Sequence, residues 1–456
     1  MSVIPLPAST ERAEGPGSLL DEAPEVSASL GLPAEGYRLD TTQDRPVIIA
    51  ADDAGEYYAR LTLAQLVAAA RTAGRDRLEP ERIHDAPRFA WRGAMLDVAR
   101  HFMPVETVLA YLDDLAELKL NRLHLHLTDD QGWRVPIASR PELTRVGAST
   151  QVGGGGGGAY TVDDIRRIVE HATALHIVVV PEIDLPGHTT AALTAYPELA
   201  MPGVTPEPYE GIEVGFSTLD PSNEETYRFL EDVLGEVAEL FPGPWLHLGG
   251  DECLATPEAD YLRFIERATA IAAATGKTVI GWHEMGRSRA LPPGSIGQYW
   301  GLISQPDERA AHLRSFVEQG GSAILSPADA AYLDIKYTDD HPLGLIWPGK
   351  PTTLADAYGW EPTEIVPGLG EADILGIEAP IFTETITDLD ELRSMAFPRM
   401  AAVAELAWSP RSEGGRDDEG FRERLAAFAR GWDARGVRYE RVPGVAWPEA
   451  TAPDGA

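Results

Sequence analysis

The chain has 456 residues, of which 44% are apolar and 24% are charged, a composition typical of a folded soluble protein. Lys and Arg total 38 against 72 Asp and Glu, and the resulting net charge of −34 argues against nucleic acid or an anionic membrane as a partner. A single cysteine, Cys253, excludes an intrachain disulfide and a zinc cluster of thiolates.

Two further features of the sequence concern the location of the protein in the cell. The first twenty residues contain one basic residue, Arg12, and no apolar core of a signal peptide. No run approaches eighteen unbroken apolar residues, so no membrane-spanning helix is predicted. We therefore expect a cytoplasmic protein, whose oligomeric state the sequence does not predict.

Residues 1–88 are predicted to form a small, reduced α+β domain. Val47–Ala51 has the pattern of a short strand, and Glu56–Ala73 that of a helix ending before Gly74. The first thirty or so residues, rich in Pro, Glu, Ser and Ala, are expected to lie as extended chain against the body. Apolar residues are too few for a separate core, so this domain should pack against the rest of the chain.

Residues 89–412 alternate between strand-like and helix-like segments. The predicted strands are Ala94–Ala99, Arg122–Leu127, Ile177–Val180, Trp245–Leu248, Thr278–Trp282, Ser295–Trp300, Ser322–Ser326 and Asp373–Ile377. The predicted helices are Val105–Leu118, Val162–Leu175, Glu224–Leu240, Glu258–Ala274, Asp307–Gln319 and Leu389–Ala407. This α/β pattern predicts a (β/α)8 TIM barrel. A doubly wound open sheet is the alternative, but no Gly-x-Gly-x-x-Gly follows the first strand.

Two segments carry no predicted chemistry. The run Gly153–Gly158 is expected to be a flexible loop, because no Gly-Lys-Ser/Thr ends it and no strand leads into it. Residues 413–456 are predicted to supply a helix, Phe421–Arg430, and a Pro-rich tail that packs on the barrel.

The stretch Trp245–Cys253 holds two adjacent carboxylates after a buried strand. Gly249 and Gly250 allow a sharp turn, and Asp251 and Glu252 follow them directly. Adjacent carboxylates cannot both ionise freely, so one pKa should rise, which makes Glu252 a candidate acid beside an ionised Asp251. The alternative is that the pair merely caps the next helix.

Polar and aromatic residues follow nearly every predicted strand, at the end where active sites of TIM barrels lie. They are Arg100, His101, Asp129, Asp130, Glu182, Asp184, His188, Asp251, Glu252, Trp282, His283, Glu284, Trp300, Tyr332, Asp334, Glu378, Phe382 and Glu384. Aromatic faces beside carboxylates and an arginine suit a sugar, although the two tryptophans could instead be core residues.

No metal site or cofactor is predicted. His124 and His126 alternate on one strand and could bind a metal, but packing inside the barrel is the favoured interpretation. Asp184 and His188 are four residues apart, yet Pro186–Gly187 between them excludes a helix that would bring them together.

Five segments resemble the β-N-acetylhexosaminidases of glycoside hydrolase family 20: Trp91–His101, His124–Trp133, Pro181–His188, His247–Glu252 and Gly281–Glu284. The similarity runs from about Glu35 to Trp408. The Asp-x-x-Asp-x-Asp-x-Glu strand of family 18 chitinases is absent from the sequence.

The resemblance implies that the substrate's 2-acetamido oxygen attacks C1, an exception to the two-carboxylate scheme. By similarity, Glu252 protonates the leaving oxygen and later activates water, and Asp251 holds the acetamido N–H. Tyr332 would donate to the acetamido oxygen. His188 and Asp129 would form a relay behind Glu252.

The resemblance also assigns substrate-binding residues. Arg100 and Glu384 would bind the ring hydroxyls with Asp334 nearby, while Trp282 and Trp300 would form walls of the acetamido pocket. The chain departs from the family in its short N-terminal domain and in Phe382, where many relatives have Trp.

The expected function is that of an exo-acting β-N-acetylhexosaminidase without metal, which releases GlcNAc or GalNAc from oligosaccharides. One alternative is a lacto-N-biosidase-like enzyme, which would need a wider rim to admit a disaccharide. Another is a catalytically silent sugar-binding protein, which would have no need for Asp251, Glu252 and Tyr332 together.

Overall fold

The N-terminal domain is a mixed five-stranded sheet covered by one helix. The computed structural model describes residues 3–303, 308–411 and 415–449. Within the described residues, the sheet has the order β1-β5-β3-β4-β2, and only the β2–β4 pair is parallel. Its strands are β1 (Ser9–Arg12), β2 (Glu25–Ala28), β3 (Tyr37–Asp40), β4 (Val47–Ala50) and β5 (Glu81–Asp85).

The first strands of this sheet were expected only as extended chain. β1 instead pairs with β5 and β2 with β4, so the N-terminal segment widens the sheet at both edges. The covering helix α1 (Asp53–Thr72) begins earlier than predicted because Asp52 caps it, accepting a hydrogen bond from the Gly55 amide.

The predicted TIM barrel is confirmed. The remaining strands are β6 (Trp91–Asp97), β7 (Arg122–His126), the hairpin pair β8 (Thr128–Asp129) and β9 (Gly132–Trp133), β10 (Val178–Glu182), β11 (Trp245–His247), β12 (Thr278–Trp282), β13 (Ile296–Tyr299), β14 (Ser322–Leu325) and β15 (Ile374–Ile381). In the described part of the chain, all of these except the hairpin form one closed parallel barrel of eight strands.

Helices surround this barrel. They are α2 (Val105–Glu117), α3 (Glu142–Arg145), α4 (Val162–Ala174), α5 (Thr190–Ala195), α6 (Glu224–Leu240), α7 (Glu258–Ala274), α8 (Glu308–Glu318), α9 (Leu354–Tyr358), α10 (Leu389–Ala396), α11 (Arg399–Trp408) and α12 (Asp418–Arg435). Short 3-10 turns occupy Pro197–Leu199, His283–Arg287, Pro362–Glu364 and Glu371–Asp373. None of the helices in the described ranges combines the length and apolar character needed to cross a bilayer.

The structure corrects the predicted closing helices. The single helix expected over Leu389–Ala407 is two helices, because Pro398 has no amide hydrogen to continue α10 and instead begins α11. The C-terminal helix extends beyond Phe421–Arg430 at both ends, from an Asp417 cap to Gly436 in a left-handed conformation. Asp307, predicted as the start of a helix, lies outside the described residues.

One part of the barrel interior is polar. His124 pairs with Glu378 (Nδ1–Oε1, 2.9 Å), and His126 pairs with Glu182 (Nδ1–Oε2, 2.5 Å). Both histidines therefore face inward with partners, as expected. Glu378 was placed beyond the eighth strand by the sequence, but it lies within β15 and also accepts the indole N–H of Trp91.

Asp85 joins the N-terminal domain to the barrel. Its carboxylate accepts the Tyr37 hydroxyl at 2.5 Å and the indole N–H of Trp408 at 3.0 Å, and it pairs with the Lys119 ammonium at 3.1 Å. The expected packing of this domain on the barrel is therefore present. The domain boundaries at residues 88 and 412 stay predictions.

Candidate active site

A cavity of about 230 Å³ opens at the carboxyl ends of the barrel strands. Its lining contains nine of the eleven residues assigned from the sequence, and the other two, Asp129 and Asp334, lie directly behind it. The lining residues are Arg100, His126, Asp184, His188, Ile212, Val214, Asp251, Glu252, Trp282, Trp300, Tyr332, Leu345, Trp347, Phe382 and Glu384.

The glycine pair after β11 sets the position of the two carboxylates. Gly249 and Gly250 have φ of 63° and 95°, values that favour glycine, and a Cβ on Gly249 would collide with Asp184. The Gly250 amide donates to Asp184 Oδ1 at 3.0 Å. The helix-cap alternative is wrong, because α7 begins at Glu258 with Pro257 as its cap residue.

Glu252 and Asp251 share one neighbour. The Nε2 atom of His188 lies 3.7 Å from Glu252 Oε2 and 3.7 Å from Asp251 Oδ2. Burial and then the charge of Asp251 raise the pKa of Glu252 above the usual range of a glutamate, the direction that adjacent carboxylates predict. Both effects favour the protonated form of Glu252, as a general acid requires.

A relay of paired charges lies behind Glu252, as the resemblance implied. His188 Nδ1 is 3.2 Å from Asp129 Oδ1, and the Arg100 guanidinium lies 2.9 Å from Asp129 Oδ2. Burial opposes ionisation of Asp129, but Arg100 and His188 hold its pKa well below the usual range. Burial likewise opposes the His188 cation, yet Asp129 and other carboxylates raise the pKa of His188 well above its usual range. A cationic His188 thus faces Glu252.

Asp184 belongs to the site, although the sequence did not assign it a role. It is buried, it fixes Gly250, and burial followed by the charge of Asp251 raises its pKa well above the usual range. Its position in the motif Pro181–His188 was the available signal. Both effects favour the neutral form of Asp184.

The opposite part of the cavity combines an arginine with carboxylates. Asp97 lies 3.4 Å from the Arg100 guanidinium and accepts the Thr383 amide at 3.0 Å, which fixes Arg100 beside β15. Asp334 accepts the Phe382 amide at 3.3 Å, and burial with the charge of Glu384 raises the pKa of Asp334 to about 8. The sequence missed Asp97 because it lies inside β6 rather than after it.

Aromatic side chains form the walls. Trp282 is almost fully buried and donates its indole N–H to Glu182 at 3.0 Å, while Trp300 donates to Glu284 at 3.1 Å. Tyr332 stacks on Phe382, with ring centroids 5.7 Å apart and an interplanar angle of 28°. Trp282 is thus both buried and part of the cavity lining, and its role in an acetamido pocket stays a prediction.

Trp347 is a rim residue that the sequence did not indicate. It is 45% exposed and lies edge-on to Trp300 and to Tyr332, with centroid separations of 5.9 and 5.5 Å. It belongs to an irregular segment between β14 and α9, where no periodic pattern marks its position.

Several histidine and carboxylate groups lie close enough to hold a metal ion. These groups are His124–Glu182–His247, His126–Asp129–Asp184, Asp129–Asp130–His188 and Asp184–His188–Asp251. Asp184 and His188 were considered as a pair from the sequence and set aside because no helix joins them, but the segment between β10 and α5 brings them together without a helix. Within the described residues, each group already contains a close histidine–carboxylate pair. The absence of a required metal stays a prediction.

An acid beside a second carboxylate, in an aromatic-walled cavity of a TIM barrel, is the arrangement of a glycoside hydrolase. The family model described as "Glycosyl hydrolase family 20, catalytic domain" matches residues 89–259 and 254–411. The model of "Glycosyl hydrolase family 20, domain 2" matches residues 4–86. The chain belongs to glycosyl hydrolase family 20.

Similar proteins support this membership. The chain is 44% identical over 427 residues to a Beta-N-acetylhexosaminidase of Cellulomonas fimi, covering 93% of this chain and 84% of the relative. It is 33% identical to a Beta-hexosaminidase of Porphyromonas gingivalis over 91% of this chain, but it spans only 56% of that longer protein. The structure of the Streptomyces plicatus N-acetyl-beta-hexosaminidase with Thio-NAglucal matches with a TM-score of 0.91, 41% identity and 98% coverage of both chains.

Proposed function

We propose that the protein is an exo-acting β-N-acetylhexosaminidase that releases terminal GlcNAc or GalNAc by substrate-assisted, retaining catalysis. The observation that carries this proposal is the adjacency of Asp251 and Glu252, whose carboxylates both lie 3.7 Å from the same nitrogen of His188. Retaining glycosidases with an enzyme nucleophile place their two carboxyl groups on either side of the scissile bond. Two carboxylates that both lie beside His188 Nε2 would instead approach the scissile bond from the same side.

The nucleophile is therefore assigned to the substrate. The acetamido oxygen attacks C1 as Glu252 transfers its proton to the leaving oxygen, and the C1–O bond breaks. The product is an oxazolinium ion and a free alcohol. Asp251 accepts the acetamido N–H and offsets the positive charge that develops on that nitrogen. Glu252, now ionised, removes a proton from water, which attacks C1 and reopens the ring with net retention.

Other side chains preorganise this attack. Burial and then the charge of Asp251 raise the pKa of Tyr332 well above its usual range, so its hydroxyl keeps the proton that it donates to the acetamido oxygen. Trp282 and Trp300 enclose the acetamido group. On the other side of the cavity, Arg100 and Glu384 bind the ring hydroxyls.

The size of the cavity favours release of a single sugar. About 230 Å³ is below the roughly 300–1,000 Å³ of pockets that hold drug-sized ligands, so one ring fits better than the disaccharide of a lacto-N-biosidase. A silent sugar-binding protein is disfavoured because pure binding requires neither the raised pKa of Glu252 nor the relay behind it.

Hydrolysis of p-nitrophenyl N-acetyl-β-glucosaminide and galactosaminide, with p-nitrophenyl β-glucoside as the control, tests the proposal. We expect turnover of both N-acetyl substrates and at least about a thousandfold less of the glucoside, because it lacks the nucleophile. Equal turnover of the glucoside would contradict substrate assistance. Chitooligosaccharides are candidate natural substrates, and a cytoplasmic location is part of the proposal that cell fractionation tests.

A further inference from the structure

Exposed apolar side chains are concentrated at the mouth of the active site. Among the described residues, the large exposed ones are Val26, Leu30, Val162, Val204, Ile212, Val214, Phe216, Leu254 and Trp347. Ile212, Val214 and Trp347 line the cavity, and Leu254, 82% exposed, follows Glu252 by two residues. We call Ile212, Val214 and Leu254 the aliphatic wall. A concentration of exposed apolar groups around a binding site indicates a surface that a ligand covers.

The aliphatic wall is held in place at both ends. Next to Ile212, the Gly211 carbonyl accepts the side-chain amide of Gln131 at 2.8 Å. Beyond Val214, the Ser217 hydroxyl accepts the Thr189 amide at 3.0 Å and donates to Asp130 at 2.6 Å. The wall is therefore a fixed surface attached to the segment that carries the relay, rather than a loose loop.

Ile212 and Val214 of the aliphatic wall line the same cavity as Glu252, and the next residue along the chain, Gly215, lies against the Glu252 backbone. Gly215 has a φ of 80°, and a Cβ at this position would lie 2.8 Å from Leu254 Cδ1 and 3.2 Å from the Glu252 carbonyl oxygen. The segment after Val214 thus packs on the Leu254 side chain and on the backbone carbonyl of Glu252. Because Glu252 delivers its proton to the leaving oxygen, the atoms attached to that oxygen leave the cavity next to this wall.

From this juxtaposition we propose that the enzyme favours glycosides whose leaving group is an uncharged, apolar alcohol, of the alkyl or aryl class. The inference rests on the proposed function and adds the class of leaving group to it. Branched aliphatic side chains offer neither a flat ring for stacking nor a hydrogen bond to sugar hydroxyls, whereas they bury alkyl carbons well. The exposed Glu213 between Ile212 and Val214 disfavours an anionic leaving group.

Alkyl N-acetyl-β-glucosaminides with methyl, butyl and hexyl groups test this proposal, because their leaving alcohols differ little in acidity. We expect kcat/KM to rise by about twofold per methylene from methyl to hexyl, roughly half of the gain from complete burial of a methylene. The hexyl glycoside should also exceed N,N'-diacetylchitobiose in kcat/KM. No rise with chain length, or a preference for the disaccharide, would overturn the proposal.

Variants at Leu254 test whether the aliphatic wall causes the rise of kcat/KM with alkyl chain length. Leu254→Ser should lower the ratio of hexyl to methyl kcat/KM by at least about threefold, whereas Leu254→Met, which keeps an apolar side chain, should preserve it. Leu30→Ser removes another exposed leucine, from the N-terminal domain, and should leave the ratio unchanged. An unchanged ratio in Leu254→Ser would remove the aliphatic wall from leaving-group selection.

Two further outcomes separate the inference from its alternatives. Hydrolysis of the methyl glycoside by the unmodified enzyme supports the proposed function whatever the chain-length result.

A second copy of the chain is the alternative occupant of the aliphatic wall. Sedimentation of the unmodified protein and of Leu254→Ser tests it, and self-association that the substitution abolishes would overturn the proposal. A monomer in both cases supports it.

Discussion

His188 and Glu252 face each other from two strained backbone positions. Their φ angles are 56° and 46°, in the left-handed region that non-glycine residues rarely adopt, and their side chains approach to 3.7 Å. Such conformations cost about 1–3 kcal/mol each and persist only where the surroundings impose them. The contacts of His188 with Asp129 and the packing of Gly215 on Glu252 provide that constraint. The strained backbone at both residues orients the Glu252 side chain toward His188 and, behind it, Asp129.

Removal of the acid should slow the enzyme according to the leaving group. We expect Glu252→Gln to lower kcat by roughly 10²–10⁴, the usual contribution of a positioned general acid. The loss should be smaller for dinitrophenyl glycosides, whose leaving groups need no proton. Steady-state kinetics on a series of aryl N-acetylglucosaminides measures this, and equal losses for good and poor leaving groups would exclude Glu252 as the acid.

If the acetamido oxygen of the substrate is the nucleophile, a stable mimic of the oxazolinium ion should be a strong inhibitor. A stable thiazoline mimic of the oxazolinium ion should inhibit at least about 10²-fold more tightly than the substrate binds, because the site is complementary to that charged ring. Inhibition constants measure this, with GlcNAc as the matched weak ligand. A covalent adduct on Asp251, trapped by a fluorinated sugar and found by mass spectrometry, would contradict the mechanism.

Phe382 should influence how tightly the N-acyl group is enclosed. It offers less area than the Trp of many relatives, and the larger ring should strengthen binding by ~1 kcal/mol at about 25 cal/mol per Å². We expect Phe382→Trp to lower KM for the N-acetyl substrate about fivefold and to penalise N-glycolyl and N-propionyl analogues. Kinetics on a short N-acyl series measures both effects.

The alternative for Phe382 is that its neighbours already fill the space. The Arg100 guanidinium lies 5.1 Å from the ring centroid and Tyr332 stacks on the ring. If these contacts leave no room, Trp would harm every substrate alike. A uniform loss without a change in rank order would therefore assign Phe382 to packing.

Asp334 should make stability fall as pH rises. Its folded pKa is about 8, whereas an unfolded aspartate has a pKa of about 3.9, so the folded state binds the extra proton between these values. Its contribution is complete below about pH 4 and is lost as pH rises through about 8. Between pH 5 and 9, unfolding free energies from urea titrations should fall by at least ~1 kcal/mol more for the unmodified protein than for Asp334→Asn. Parallel curves for the two proteins would contradict this.

Metal removal should not change activity. Each histidine–carboxylate group near the site already contains a close pair, such as His188 with Asp129 at 3.2 Å. We expect full activity after dialysis against a chelator, measured with and without added zinc or calcium. Loss of activity that a metal restores would instead assign a cation to one of these groups.

Alternating apolar segments were enough to predict the barrel strands, since each is a short apolar run and nearly all of them alternate with segments of helical periodicity. The N-terminal strands β1 and β2 were harder to predict. All of their residues are exposed, so these strands show no alternation of buried and exposed positions. Their pairing partners lie 69 or more residues away for β1 and about 22 for β2. The break at Pro398 was visible as a proline, but the apolar pattern continued through it.

The site was predictable where a motif follows a strand. Asp251, Glu252 and His188 all lie in such positions, and the barrel brings strand ends together. Asp97 and Trp347 were missed for opposite reasons, the first because it lies inside a strand and the second because its segment has no regular structure. The aliphatic wall was missed because a sequence does not show which apolar side chains remain exposed.

The junction at Asp85 makes the two structural units thermodynamically inseparable. Lys119, on the barrel side, is fully buried and has Asp85 as its carboxylate partner at 3.1 Å. A barrel separated from the first 88 residues would keep that ammonium without its counterion and would expose Trp408 to water. We therefore expect the N-terminal sheet and the catalytic barrel to unfold in one cooperative transition. The small sheet contributes no residue to the lining of the cavity, yet it stabilises the barrel that carries the active site.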